Sequence, residues 1–283
     1  LLSYSLLQTL KEKQIFLGFT VASNPISYYN IEAITQQTGI LPGFINFFQA
    51  WPQKGAVASF PITTLQVIDD VGAIACVSWE PQCAIGQQKK GVLLNDIQQG
   101  HYDAYIRTFA KSAKEWGKPF MIRLAHEMNL RTYHWAVSQD AYNEQSPECY
   151  KAMFRYIVNI FKEENADNVF FVFCPNVVSV PDTQWNMAKN YYPGDDCIDI
   201  FGMDGYNWEN NPDTQKQSFK ELFKPLYAEL KNLNPTLPIF VFETAAVVNK
   251  EKWLQECFTT AEEWSLSGIL WFQVDKEFDW RLI

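Results

Sequence analysis

Several features that define common protein classes are scarce or missing in this sequence. It has three histidines and six cysteines in 283 residues, and no two cysteines stand in Cys-x-x-Cys spacing, so a zinc knuckle and a thioredoxin-type motif are excluded. No apolar run reaches the ~18 residues that a membrane span requires. Lysine and arginine number 23 against 32 aspartates and glutamates, and the resulting net charge of −9 argues against nucleic acid or anionic lipid as a partner.

The cysteines and the first residues of the chain bear on its cellular compartment. Cys76 and Cys174 lie in apolar runs and are expected to be small core residues, whereas Cys83 and Cys149 lie in loop-like stretches and could pair. Their spacing selects no particular pairing. The chain begins with Leu-Leu and has no basic segment there, so a signal peptide is expected to be absent or already removed.

Aromatic side chains are what the sequence has in abundance. Phenylalanine, tyrosine and tryptophan make up 16% of the residues, with ten tryptophans among them, and hydrophobic residues make up 47%, which excludes intrinsic disorder. We expect the larger share of the aromatic residues to be buried in the core. The remainder would form exposed platforms on which sugar rings can stack.

Short apolar runs alternate with longer amphipathic ones along the whole chain. Eight of the short runs are bounded by Gly, Pro, Asn or Asp, which is typical of buried parallel strands. They are Ile15–Thr20, Phe44–Trp51, Ile74–Trp79, Phe120–His126, Val169–Cys174, Ile198–Met203, Ile239–Phe242 and Gly268–Phe272. Helical spacing is clearest in His101–Trp116, Cys149–Glu164, Ser218–Leu233 and Lys250–Trp264.

This alternation, in a chain without a linker, predicts an α/β protein: a (β/α)8 TIM barrel that occupies residues 1–283 as a single domain. A doubly wound sheet is the alternative, but it would usually have a glycine-rich phosphate loop after its first strand, and Leu17–Thr20 is not such a loop. Only Gln273–Ile283 follow the eighth strand, which is too short for an eighth helix. We therefore expect a helix at Ser3–Lys13 to fill the place between strands eight and one.

Two glutamates directly follow apolar strands. Glu127 stands at the end of the fourth predicted strand and Glu243 at the end of the seventh. Reactive groups of a barrel lie at the carboxyl ends of its strands, where carboxylates are rarely placed for packing. One proton donor and one nucleophile or base are what glycoside hydrolysis needs, so the pair indicates a glycosidase site.

Strict alternation of side chains extends this interpretation. It puts Arg123 and Glu127 on one face of the fourth strand, with Arg123 pointing into the barrel beneath the site, and it groups Glu243 with Val241 on the seventh. A buried cation lowers the pKa of a nearby carboxyl group, which suits a nucleophile. Arg123 could equally belong to a structural ion pair.

Other residues are candidates for the same mouth. Trp79 ends the third strand and Asn176 the fifth, while Trp135 and Trp208 lie in loops where exposed indoles could stack on sugars. The histidines lack metal-ligand spacing and no Gly-x-Ser-x-Gly motif occurs. We therefore expect no metal site, no organic cofactor and no serine hydrolase triad.

Several ordered motifs resemble those of glycoside hydrolase family 26. They are Ile122–Asn129, Tyr133–Trp135, Phe201–Trp208, Phe240–Thr244, Leu270–Phe272 and Asp279–Arg281. The resemblance covers strands four to eight well and the first three strands loosely. It implies a retaining (β/α)8 hydrolase from a family that contains β-mannanases, mixed-linkage β-glucanases and β-1,3-xylanases.

The resemblance also implies roles for individual residues. Glu127 would be the acid/base and Glu243 the nucleophile, and retention would place their carboxyl groups about 5–5.5 Å apart. His126 would bond the sugar at the cleavage site, and Tyr206 would hold the nucleophile through its hydroxyl. Trp271 would form the stacking floor of the subsite before the cut.

One departure from the family pattern concerns the substrate. Mannanases of the family usually carry Gly and Trp shortly after the His-Glu-Met-Asn run, where this sequence has Leu130-Arg131-Thr132. We expect a monomeric endo-β-glycanase acting on mixed-linkage β-glucan or β-mannan. Its location would be extracellular or periplasmic, because polysaccharides do not cross a membrane unaided. The alternatives are a family 26 β-1,3-xylanase and a carbohydrate-binding barrel without catalysis, although the latter would not need both glutamates.

Overall fold

A computed structural model describes residues 16–55, 59–85, 88–136, 146–208 and 217–282, with the backbone alone at 84, 85 and 88–90. The strands are β1 Phe16–Val21, β2 Phe44–Ala50, β3 Ile74–Glu80, β4 Gln82–Ile85, β5 Gln88–Gly91, β6 Phe120–Leu124, β7 Val169–Phe173, β8 Ile200–Asp204, β9 Ile239–Thr244 and β10 Gly268–Phe272. The helices are α1 Tyr28–Thr38, α2 Ile62–Asp70, α3 Leu94–Gln98, α4 Asp103–Trp116, α5 Pro147–Glu163, α6 Phe219–Leu233 and α7 Lys250–Trp264.

Eight of the strands close into a parallel barrel in the order β1-β10-β9-β8-β7-β6-β3-β2. The other two, β4 and β5, pair antiparallel as a hairpin that follows β3. The closed barrel confirms the predicted (β/α)8 architecture and excludes the doubly wound sheet. Each predicted strand is present, with ends that move by at most two residues, and the four predicted helices are present as α4 to α7.

Three helices and the hairpin had no prediction. Helix α1 begins with a capping box between Ser27 and Asn30 and ends at Gly39, whose φ of 74° is left-handed, but it buries only three side chains. Helix α3 has five residues, and the two hairpin strands have only four residues each. Elements this short or this weakly amphipathic do not show a clear hydrophobic period.

The chain ends do not add a helix to the described part of the barrel. Residues 273–282, which follow β10, form no helix. This agrees with the prediction that the segment is too short for an eighth helix. The helix predicted at Ser3–Lys13 lies outside the described residues. None of the described helices is both long enough and apolar enough to cross a membrane.

By contact density the chain divides into two compact units. One unit consists of Leu1–Phe47, Thr63–Cys76 and Phe201–Ile283, and the other of Phe48–Ile62 and Val77–Ile200. Each unit has an aromatic core of its own. The prediction that residues 1–283 form a single domain stays a prediction.

The core of the second unit is built around stacked and tilted aromatic rings. The ring of Trp79 lies 4.8 Å from Trp51 and 4.5 Å from Phe109, and its indole nitrogen donates to the Tyr105 hydroxyl at 2.9 Å. Burial keeps that phenol protonated by raising its pKa. Trp79 has no exposed surface, so the prediction that it lines the mouth is wrong. The indole fills the core because its single polar atom finds a buried partner there.

Burial extends to most of the tryptophans, all ten of which lie among the described residues. Six of the ten are buried, which confirms that the core takes the larger share; they are Trp51, Trp79, Trp135, Trp253, Trp271 and Trp280. In the first unit, Trp253 of α7 packs edge-on against Phe219 of α6 and thereby joins the two helices. Phe219 also stacks on Phe223, with 4.1 Å between the ring centres.

All six cysteines are free thiols, and five of them are buried. The possible pairing of Cys83 with Cys149 is therefore not made. Cys76 and Cys174 are fully buried, as their apolar surroundings predicted. No disulfide therefore contributes to holding the described fold together.

Helix α5 allows a test of one local contribution to stability. Ser146 accepts a hydrogen bond from the Cys149 amide at 3.2 Å, and Pro147 occupies the first helical position. Because Ser146→Ala removes an N-cap oxygen, we expect it to lower the free energy of unfolding by about 1 kcal/mol in urea denaturation. Ser23→Ala, at an exposed position, is the control and should change little. Equal effects of the two substitutions would contradict the capping role.

Candidate active site

The backbone around Glu127 departs from a regular strand. Strand β6 ends at Leu124, and Ala125 and Glu127 have φ angles of 45° and 51°, in the left-handed region that side chains other than glycine rarely adopt. The Ala125 amide donates to the Trp79 carbonyl at 3.1 Å and the Glu127 amide to the Cys174 carbonyl at 2.8 Å. The prediction that strict alternation continues from Arg123 to Glu127 is therefore wrong.

The Glu127 carboxylate is buried and held by an amide. Asn176, which follows β7, donates from Nδ2 to Glu127 Oε1 at 2.6 Å, while its own Oδ1 accepts from the Val178 amide at 2.9 Å. The two bonds together fix which end of the Asn176 amide faces the carboxylate. The structure thus brings Asn176 to Glu127, as its position after a strand suggested.

Two further asparagines, which the sequence analysis missed, hold Asn176 in place. The Asn129 side chain accepts a hydrogen bond from the main-chain amide of Asn176 and donates one to the main-chain carbonyl of the same residue, both at 2.9 Å. Asn186 donates to the Asn129 carbonyl at 2.9 Å and accepts from the Tyr191 hydroxyl at 2.6 Å. All three asparagines are buried. Asn129 lies two residues after Glu127, but no pattern in the sequence indicates its partner across the loop.

His126, the residue before Glu127, is fully buried, and both its ring and its main-chain carbonyl contact neighbouring side chains. Its ring Nε2 lies 3.0 Å from the Tyr133 hydroxyl, and its carbonyl accepts from the Trp135 indole at 2.7 Å. The Tyr133 and Trp135 rings stack at 4.5 Å with 13° between their planes. Trp135 has no exposed surface. The prediction of an exposed stacking platform at Trp135 is therefore wrong, because the indole is used to hold the His126 backbone.

Arg123 is fully buried, as predicted, but its contacts were not foreseen. Its Nε donates to the Ser78 hydroxyl at 2.8 Å, and its guanidinium lies 5.8 Å from the centre of the Phe48 ring. The Cys174 sulfur is 3.8 Å from Nη1. These contacts include a hydroxyl, a thiol and an aromatic ring, each of which helps to stabilise the buried guanidinium.

The Glu243 carboxylate is also buried and is held by a phenol. Tyr206, two residues beyond the end of β8, donates its hydroxyl hydrogen bond to Glu243 Oε2. This is the contact that the family resemblance implied for Tyr206. Within the first unit, β9 therefore presents its glutamate to a tyrosine from the neighbouring strand's loop.

Strand β9 contains a β-bulge just before this glutamate. Against β8, Val241 pairs with Met203 and Glu243 pairs with Asp204, so β9 has one residue more, Phe242. The register against β10 shifts over the same stretch. Bulges bend a strand and re-aim its side chains. The regular alternation that grouped Glu243 with Val241 consequently does not extend to Glu243.

A buried polar chain satisfies the carbonyl that the bulge exposes. Thr20 on β1 donates to the Phe242 carbonyl at 2.6 Å and accepts from the Asn46 amide at 3.2 Å. Thr20 and Asn46 are fully buried. Because a buried carbonyl without a partner is costly, this chain supports the irregular backbone next to Glu243.

Aromatic rings surround Tyr206 in the first unit. Its ring centre lies 5.2 Å from Trp280 and 5.9 Å from Trp208, and Trp208 keeps 36% of its surface exposed. The exposure predicted for Trp208 is thus confirmed. Trp271, in contrast, is fully buried, and its indole donates to the Trp280 carbonyl at 2.8 Å. Trp271 offers no open ring face, unlike the stacking floor predicted for it.

Charged residues beside these aromatics are paired with one another. The Arg281 guanidinium hydrogen-bonds Asp279 at 2.7 Å and lowers the pKa of that carboxyl group to about 2. Within the described part of the chain, no group of three or more His, Cys, Asp or Glu side chains is arranged to hold a metal ion.

Comparison with known proteins adds to this geometry. The profile of Glycosyl hydrolase family 26 matches residues 75–265, which is more than half of the chain. Over 216 residues the chain is 33% identical to Endoglucanase H of Acetivibrio thermocellus, covering 75% of this chain and 23% of that protein. Over 144 residues it is 27% identical to a mannan endo-1,4-beta-mannosidase of Bacillus subtilis, covering 48% and 36% respectively.

Solved structures agree on the fold. The catalytic domain of the family 26 endo-beta-1,4-mannanase of Bacillus sp. JAMB-750 aligns with a TM-score of 0.70 at 17% identity, covering 95% of this chain and 79% of that one. The barrel and the family profile define a glycoside hydrolase. The chain belongs to glycosyl hydrolase family 26. It spans 23% and 36% of the length of the two curated relatives named above.

The Thr20 hydroxyl provides a test of the bulge. Thr20→Val keeps the side-chain shape but leaves the Phe242 carbonyl and the Asn46 amide without this partner, so we expect the free energy of unfolding to fall by about 1–3 kcal/mol. Thr20→Ser keeps the hydroxyl and should cost less. Urea denaturation of the three proteins measures both effects. A larger loss for serine than for valine would show that methyl packing, rather than the hydrogen bond, matters at this position.

Proposed function

We propose that this chain is a retaining endo-β-glycanase in which Glu127 is the acid/base and Glu243 the nucleophile. The observation that carries the proposal is that a family 26 chain buries two strand-end glutamates and gives each a hydrogen-bond donor of its own, Asn176 and Tyr206. Retention requires the two carboxyl groups to lie about 5–5.5 Å apart, and this separation stays a prediction.

The reaction proceeds in two steps. In the first, Glu243 attacks the anomeric carbon, the bond from that carbon to the leaving oxygen breaks, and Glu127 gives its proton to that oxygen. In the second, Glu127 takes a proton from water, the water oxygen bonds to the anomeric carbon, and the ester bond to Glu243 breaks. Both glutamates return to their starting states, and no cofactor is consumed.

The contacts of each carboxylate suit its proposed role. Tyr206 donates to Oε2 of Glu243 and so helps to fix the orientation of the carboxylate that attacks the anomeric carbon. Asn176 donates to Oε1 of Glu127, so the transferable proton of Glu127 belongs on Oε2. The left-handed backbone at Glu127 supports the assignment, because strain of this kind concentrates at functional sites.

Mixed-linkage β-glucan is the substrate that we favour over β-mannan. Arg131 and Thr132 are exposed, and neither offers an aromatic ring at the place where mannanases of the family carry tryptophan. Tyr133 is half-buried and its hydroxyl contacts His126, so it does not replace the missing platform. Of the two curated relatives named above, the one with the longer match is named an endoglucanase. β-Mannan and β-1,3-xylan remain the alternative substrates, and the exposed Trp208 serves as a stacking platform for any of them.

The nature of this substrate also suggests where the protein works. A β-glycan polymer is the partner, and we place the enzyme outside the cell or in the periplasm, where such polymers are found. We take the working form to be a monomer. A barrel that only binds carbohydrate is disfavoured, because binding would not require both glutamates.

The roles of the two glutamates can be separated by the leaving group. Removing the proton donor in Glu127→Ala should lower kcat/KM on a natural β-glycan by about 10²–10⁴-fold, while an aryl β-glycoside with an acidic phenol should be affected far less. Removing the nucleophile in Glu243→Ala should abolish hydrolysis of both substrates. Steady-state rates on the two substrates measure the difference.

Azide provides the stereochemical control for the same pair. With Glu127→Ala it should attack the trapped intermediate and give a β-glycosyl azide, whereas with Glu243→Ala it should take the nucleophile's place and give an α-glycosyl azide. NMR of the products distinguishes the two anomers. If each variant gave the opposite anomer, the roles of Glu127 and Glu243 would have to be exchanged. Only their identification as the catalytic pair would then stand.

The pH dependence tests the contact between Asn176 and Glu127. Asn176→Asp replaces a donor by a negative charge, which disfavours ionisation of Glu127 and raises its pKa. Because Glu127 must be protonated in the first step, the alkaline limb of kcat/KM should move to higher pH by about one unit. Asn176→Ala, which only removes the donor, should move it in the same direction by less. A shift to lower pH in both variants would contradict the assignment of Glu127 as the acid.

Substrate preference is checked by direct competition. We expect hydrolysis of mixed-linkage β-glucan with a higher kcat/KM than β-mannan or β-1,3-xylan, because the described loop after Glu127 lacks the mannanase tryptophan. Introducing it by Thr132→Trp should raise activity on mannan relative to glucan. Exclusive activity on mannan in the unaltered protein would show that another aromatic side chain, such as Trp208, supplies the platform.

A further inference from the structure

The segment Tyr133–Trp135 presents its side chains in two directions. Tyr133 and Trp135 stack on one another and contact His126 through a hydroxyl and an indole nitrogen. His134, which lies between them, packs against Gly91, the last residue of the β4–β5 hairpin. A Cβ atom added to Gly91 would lie 2.3 Å from His134 Cβ and 2.9 Å from His134 Cγ. Only glycine leaves room for the His134 side chain this close to the backbone at position 91.

The hairpin is hydrogen-bonded to the strand before it and to Trp51, the residue after β2. The Val92 amide donates to the Pro81 carbonyl, and the Gln82 carbonyl accepts from the Trp51 amide, both at 3.0 Å. Gln82 is buried and donates to Glu80 at 2.9 Å. The hairpin ends are therefore anchored, and Gly91 is a fixed surface against which His134 rests.

The backbone that the Tyr133–Trp135 segment contacts is a strained one. Left-handed residues stand on both sides of His126, at Ala125 and Glu127, and each such residue costs of order 1–3 kcal/mol unless its surroundings enforce it. Contacts to the His126 ring and carbonyl are among those that enforce it. Displacing Tyr133 and Trp135 would therefore let the peptide that carries Glu127 relax.

We propose that Gly91 is a positioning residue for Glu127: the β4–β5 hairpin supports His134, and the adjacent Tyr133 and Trp135 hold His126 and thereby the acid/base carboxyl group. The proposal rests on the proposed function, in which Glu127 donates the proton. It assigns a catalytic consequence to a hairpin that carries no reacting group. A displacement of about 1 Å of an acid/base carboxyl group can lower the rate on the order of 10²-fold.

The test compares two substrates in Gly91→Ala. kcat/KM reports the steps up to departure of the leaving group, so poor proton donation should lower it by about tenfold or more on the natural β-glycan. On an aryl β-glycoside with an acidic phenol, which needs little protonation, the value should change by less than about threefold. Tyr133→Phe, which removes only the hydroxyl contact with His126, should show the same dependence on leaving group if Gly91→Ala folds poorly.

A compensating substitution distinguishes positioning from general damage. His134→Gly removes the Cβ that a methyl group at position 91 would strike, so the double variant Gly91→Ala/His134→Gly should recover most of the lost kcat/KM on the natural glycan. Equal losses on both substrates, no loss on either, or no recovery in the double variant would overturn the proposal.

Glu127→Ala, assayed in parallel, separates the two hypotheses. If it shows the leaving-group dependence and both Gly91→Ala and Tyr133→Phe do not, only the role of Gly91 falls. If Glu127→Ala itself shows none, the assignment of the acid is wrong, and the positioning role falls with it.

Discussion

Both glutamates stand where a barrel strand stops being regular, and each irregularity leaves buried polar groups that need partners inside the protein. At Glu127 the irregularity is a pair of left-handed residues, and at Glu243 it is a bulge. A buried polar group without a hydrogen bond costs about 1–3 kcal/mol. Residues that play no part in the chemistry, such as Cys174 at one glutamate and Thr20 at the other, supply hydrogen bonds that support these backbones.

Several buried tryptophans meet the same requirement. A buried indole is stabilised where its nitrogen finds an acceptor. Trp79, Trp135 and Trp271 each donate to an oxygen, namely the Tyr105 hydroxyl, the His126 carbonyl and the Trp280 carbonyl. Two of these bonds fall on segments next to proposed functional residues. Buried tryptophans thus contribute to positioning, while Trp208 keeps an exposed face for a sugar ring.

The sequence predicted the barrel because buried parallel strands are continuous apolar runs, and Glu127 and Glu243 stood out because a charge after such a run is unusual. It could not predict the left-handed turn at Glu127 or the bulge before Glu243. These depend on partners distant in the chain, such as Cys174 for the first and Thr20 for the second. For the same reason a loop position made Trp135 look exposed, although it is buried. Helices α1 and α3 escaped prediction because they bury only three and two side chains, and α2 because it has only nine residues.

Trapping the intermediate tests the central claim most directly. An activated 2-deoxy-2-fluoro-β-glycoside of the glucan series should form its ester quickly and lose it slowly, because the fluorine disfavours the oxocarbenium-like transition states while the good leaving group speeds only the first. Mass spectrometry of the intact protein should then show one added glycosyl unit, and peptide mapping should place it on Glu243. A label on Glu127 or on another residue, or hydrolysis with inversion and no covalent adduct, would contradict the account.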